Sequence, residues 1–136
     1  MQFLNYGSLP QAVKEIMDKR DFVGYVRVYY RGRRYGSRLF FKDEDTGKIK
    51  EIQMAEKRSL KRYTEEMRNA LQSVCETLFE ENCPRGRMEL YDFCKKNGFD
   101  ETEHGYVGFC CMEHSAFEVL VSKEDGYFCR VFFYEI

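Results

Sequence analysis

EKRSLKRYTEEMRNALQSVCETLFEEN, residues 56–82, decides how the rest of this chain must fold. Its apolar residues Leu60, Tyr63, Met67, Ala70, Leu71, Val74 and Leu78, with Phe79 at the edge, fall three and four apart. That spacing draws one stripe down a helix of about seven turns. Lys61, Arg62, Glu65, Glu66, Arg68, Gln72 and Glu76 take the polar side. Short, aromatic-rich β-strands are expected before and after it, so the helix is predicted to lie across a sheet.

Upstream, Ser8 with Gln11 three residues later has the form of a capping box, and Pro10 suits a first helical turn. A short helix is therefore expected, with Leu9, Val13, Ile16 and Met17 inward and Lys19–Arg20 at its end. Phe22 to Tyr30 alternates as a strand. One face carries Phe22, Gly24, Val26, Val28 and Tyr30, the predicted core side; the other carries Val23, Tyr25, Arg27, Tyr29 and Arg31. Arg31-Gly32-Arg33-Arg34 makes a turn, Tyr35 to Lys42 returns, and Lys48 to Met54 adds a weaker third strand.

Downstream, Cys83-Pro84 stops the long helix. Met88, Leu90, Tyr91 and Cys94 mark a shorter helix that Gly98 caps. Three more strands are expected near 106–112, 116–122 and 127–135. The last is apolar on both faces, which predicts a central position or helices above and below. The order α-βββ-α-α-βββ makes this an α+β chain, a single domain over 1–136. An antiparallel sheet of five or six strands would carry the long amphipathic helix on one face.

Net charge is −1, but it is unevenly spread. Residues 27–68 hold 13 basic and 7 acidic side chains, whereas residues 69–136 hold 6 basic and 13 acidic. Such a split predicts either an anion-facing region or attraction between the two halves, within the fold or in a homodimer. Six cysteines without a recognisable export signal predict reduced thiols and a cytoplasmic protein. No apolar run approaches the ~20 residues of a membrane span. Gly-rich phosphate loops and paired carboxylates are absent from the sequence, so neither a cofactor nor an enzymatic activity is expected.

The chemistry that stands out is the basic hairpin. Arg27, Arg31, Arg33, Arg34 and Arg38 interleave with Tyr25, Tyr29 and Phe40, with no acid among them. Arginine grips phosphate bidentately, and aromatic residues on a sheet stack bases. Lys57, Arg58, Lys61 and Arg62 extend the basic region into the helix start, where they oppose the helix dipole at ~0.3–1 kcal/mol each. The expected function is non-enzymatic binding of an anionic macromolecule, with nucleic acid favoured. A second reading is a small protein–protein inhibitor or adaptor, acting for instance on a nucleic-acid-processing complex, or a self-associating module. A third is a metal-binding protein or thiol enzyme built on Cys110, Cys111, His114 and His104.

Overall fold

A computed structural model describes residues 2–30, 37–42, 49–52, 65–81, 87–123 and 129–136, with 26–30, 37–42 and 49–52 described through their backbone pairing. It is a mixed α+β chain with an antiparallel sheet. The strands are β1 (Gly24–Tyr30), β2 (Ser37–Lys42), β3 (Ile49–Ile52), β4 (Asp100–Glu101), β5 (Gly105–Cys111), β6 (Ser115–Ser122) and β7 (Cys129–Glu135). They lie in the order β3-β2-β1-β7-β6-β5-β4. Five of them, of six residues or more, form the body of the sheet; short β3 and β4 close its two edges. Strand β7, apolar on both sides, takes the middle and joins the two meanders.

Two layers of side chains follow from the alternation along each strand. Cys110, Phe117, Val119, Val121, Cys129, Val131 and Phe133 share one face and are buried. They pack against helices α2 (Glu65–Cys75) and α3 (Arg87–Lys96). Met67, Ala70, Leu71, Val74 and Leu78 supply the α2 side of this core, each no more than 4% exposed. The described part of the apolar stripe is thus buried as its spacing predicts. Residues 56–64 of the expected helix lie outside the described residues. After Cys75 the helix widens into a π turn, Glu76–Glu81, in which the sequence neighbours Thr77 and Leu78 are both buried.

The second helix of this layer ends as its sequence anticipates. Gly98 adopts φ 76°, the left-handed conformation that lets Phe99 N–H reach back to the Cys94 carbonyl at 3.0 Å. Phe99 then lies flat over Gly108 of β5: a Cβ there would sit 2.6 Å from the ring. Tyr91 Oη donates to the Ser122 carbonyl at 3.0 Å, tying α3 to the end of β6.

On the opposite face, α1 (Gln11–Asp18) places Val13 and Met17 over Phe109, Ala116, Phe132 and Tyr134, with Leu9 beside them. The N-terminus of α1 corrects the expected capping box. Ser8 closes a 3-10 turn, Tyr6–Ser8, where Asn5 Oδ1 accepts from its N–H at 2.9 Å. Pro10 is the N-cap, its carbonyl accepting from Val13 and Lys14 N–H at 3.0 Å each. Ser8 is two residues too early to reach those donors. Phe22 is a second correction: it precedes the strand and joins the α1 layer, edge-on to Phe132 at 5.1 Å. Among the described residues, no helix is long and apolar enough to cross a membrane.

Leu71 is 3% exposed at the centre of the α2 stripe. Leu71→Ala should therefore cost ~2–5 kcal/mol in urea denaturation. Gly105→Ala should also destabilise, because its Cβ would fall on the Val121 carbonyl oxygen, a backbone atom that has no room to retreat.

Candidate anion-binding sheet face

Strand register shows which of the candidate residues stand together. In the β1–β2 ladder Arg27 is paired with Phe40, and Tyr29 with Arg38. Each cross-strand pair thus joins an arginine to an aromatic residue, and the four positions form one block on a single face of the sheet. That face is the one α1 covers further along, because Tyr25, two residues before Arg27, belongs to the α1 layer. Opposite positions on antiparallel strands hold their Cβ atoms about 4.5–5.5 Å apart, close enough for the side chains of a pair to share a ligand.

Tyr25 occupies the margin of this block. Its ring stacks on Phe132 at 5.4 Å with planes 29° apart, and meets Phe22 edge-on at 6.0 Å. Half-buried, it forms the wall between the α1 layer and the arginine–aromatic block. Arg31, Arg33, Arg34, Lys57, Arg58, Lys61 and Arg62 lie outside the described residues.

One cationic residue on this face has no counterpart in the sequence reading. Arg130 of β7 is paired with Arg27 on one side and with Leu120 of β6 on the other. A single row therefore crosses the sheet: Glu51, Phe40, Arg27, Arg130, Leu120, Val107 and Asp100. It is cationic at its centre and acidic at its two ends. The only hint in the sequence is that Arg130 is the one charge within CRVFFY, residues 129–134. Its neighbours become known only with the strand order.

The adjacent row runs Tyr25, Phe132, Glu118, Phe109 and is covered by the α1 layer. Glu118 sits at its centre, its side chain 14% exposed, and is matched by Arg20 from just beyond α1. The Arg20 guanidinium donates to both carboxylate oxygens, at 2.9 and 3.2 Å, while lying over the Phe132 ring at 5.0 Å. Arg20 has φ 55°, a left-handed conformation that costs a side-chain-bearing residue about 1–2 kcal/mol. The charge-assisted bonds to a largely buried carboxylate offset that strain. Glu118 is thereby engaged by Arg20 from beyond α1.

The cysteine–histidine set does not assemble. Cys110 faces the α2 layer and Cys111 the α1 layer, while His114 is exposed beside Glu113. A cleft of about 370 Å³ between the N-terminal segment, β5 and α2 is lined in part by Gln2, Ser73, Cys110 and Met112. Burial pushes the Cys110 thiol up to about 12, and its Sγ donates to the Gln2 carbonyl at 3.2 Å. Cys94 is pushed up to about 12 by burial as well, and burial raises Cys111 and Cys129. These thiols are protonated at neutral pH, the opposite of what a nucleophile needs.

Protein-family models, curated proteins and solved structures were all compared with the chain, and none matches.

Beneath α1 the Tyr134 hydroxyl is fully buried and makes no hydrogen bond among the described residues. Burial first, and then the Glu118 carboxylate, push its pKa up to about 12, with Arg20 pulling the other way. A raised folded pKa means that the stability tied to the neutral phenol is complete below pH ~10. It is lost as pH rises through about 12. Tyr134→Phe should hold or raise the urea midpoint at pH 7, since an unpartnered buried hydroxyl is removed. It should outlast the wild type by an additional ~2 kcal/mol between pH 10 and 12.

Proposed function

We propose that this protein binds an anionic macromolecule, single-stranded nucleic acid, on the sheet face built by β1 and β2, and that it acts by binding rather than catalysis. The observation that carries the reading is the pairing of Arg27 with Phe40 and of Tyr29 with Arg38. Two arginines and two aromatic residues in one block provide both contacts that a single strand offers: phosphate oxygens for the guanidinium groups and base faces for the rings. Arg31, Arg33 and Arg34, between the two strands in sequence, add to the basic composition of this region. Lys57, Arg58, Lys61 and Arg62 add four further basic residues in the sequence before α2. Lacking a base-edge reading motif, such a face binds with little sequence preference and strong dependence on salt.

Fluorescence anisotropy with labelled oligonucleotides tests this. Arg33→Ala should weaken binding to every sequence and flatten the slope of log affinity against log salt by about 0.7 for one lost single-strand phosphate contact. Tyr29→Ala should cost ~1–3 kcal/mol and leave that slope nearly unchanged. Absence of oligonucleotide binding even at low salt would overturn the reading. An acidic protein surface would then be the partner to pursue, with Arg33→Ala slowing its association.

A further inference from the structure

We infer that the cleft beside Cys111 binds a short, extended apolar peptide, which completes the unpaired end of the β5 edge. The inference is independent of the nucleic-acid reading and concerns the β4 side of the sheet. Phe109 exchanges two hydrogen bonds with Leu4 of the N-terminal segment, at 2.7 and 2.9 Å. Every second residue of β5 therefore turns its peptide groups outward, away from β6. Gly105 is met there by Thr102, whose N–H donates to its carbonyl and whose hydroxyl accepts from its N–H. Val107 is met by Asp100 of β4. Cys111 is the next outward residue after Phe109, and among the described residues no hydrogen bond closes that side of its backbone.

Gln2 is the residue placed to close it, two before Leu4 as Cys111 is two after Phe109. Its carbonyl instead accepts from Cys110 Sγ at 3.2 Å, on the α2 side of the strand. The N-terminal ladder thus ends after one rung. The cleft of about 370 Å³, lined by Gln2 and Cys111 among others, opens beside the missing second one. That volume lies in the range of small-ligand clefts, about 300–1,000 Å³.

An outward N–H and carbonyl on one edge residue are what an extended peptide pairs with, by adding itself to the sheet. A residue opposite Cys111 would turn its side chain toward the α1 face, and its two neighbours would turn theirs toward α2. On that side Met112 is half-buried and Phe117 fully buried, and both line the cleft, so apolar neighbours fit. Ser73 of α2, also half-buried, adds a hydroxyl to the wall. Among the described residues that line the cleft none is charged, which favours a neutral ligand over an ionic one. Leu4 already holds Phe109 and blocks the ladder at that end, so the bound segment is short.

The blocked tripeptide acetyl-leucyl-alanyl-leucinamide, titrated into the isotope-labelled full chain and followed by amide NMR, tests this. The Cys111 amide signal should shift saturably at about millimolar peptide, the range expected of one rung and two small apolar contacts. Its hydrogen exchange should slow about tenfold or more at saturation. Methylating the alanyl nitrogen removes the donor to the Cys111 carbonyl and should weaken binding about tenfold. Ser73→Phe, which fills the cleft, should abolish the shift while the far-UV circular dichroism stays that of the wild type. If this variant fails to fold, the methylated peptide carries the test. A Cys111 amide that exchanges as slowly as that of Phe109 in the free protein already has a partner, and the inference falls. It falls equally if no saturable shift reaches Cys111. Equal binding of the two peptides also overturns it, since the cleft then takes apolar groups without pairing to the strand.

Discussion

Strand β7 is apolar on both faces and lies at the centre of the sheet, and this single constraint shapes the rest of the chain. Val131, Phe133 and Cys129 must be covered on one side, Phe132 and Tyr134 on the other. Each well-buried side chain contributes ~1.5–3 kcal/mol, so neither face can be left to water. The chain meets the demand with two layers of unequal size. Helices α2 and α3 cover the first face with a long apolar stripe. Helix α1, only eight residues long, covers part of the second. An eight-residue helix spans about 12 Å, less than the width of a seven-stranded sheet.

The candidate residues lie on this second face. Beside the row of Tyr25, Phe132, Glu118 and Phe109, the next row across the same face holds Arg27 and Arg130. The border is marked by Tyr25 stacked on Phe132 and by Arg20 returning from a left-handed turn to Glu118. Beside the helix on this face lies the Arg20–Glu118 ion pair, and in the next row the strand register sets Arg27 opposite Arg130. The matched pair is structural, since its carboxylate is largely buried and both of its oxygens are engaged.

Much of this was legible in the sequence because it is local. The three-and-four spacing of Met67, Ala70, Leu71, Val74 and Leu78 specifies a buried helix face whatever it packs on. Gly98 and the alternation in β5, β6 and β7 likewise act over a few residues. The capping of α1 was misread for the same local reason: Ser8–Gln11 fits the capping pattern, yet Pro10 already supplies the carbonyl that the first helical N–H groups need. The block of Arg27, Tyr29, Arg38 and Phe40 was legible too, since a hairpin brings its own two strands together.

What the sequence alone determined, then, is the identity of the elements and which side of each is apolar: α1, the two meanders, α2 and α3, and a basic, aromatic first hairpin. Only the tertiary structure decided which strands are neighbours. The pairing of Arg27 with Arg130, and of Tyr25 with Phe132, joins residues from the two ends of the chain through the contact of β1 with β7. Periodicity can say that β7 needs two covered faces, but backbone hydrogen bonds form equally well with any antiparallel neighbour. Which one is chosen is settled by how all the buried faces fit at once, and that is a property of the packed whole.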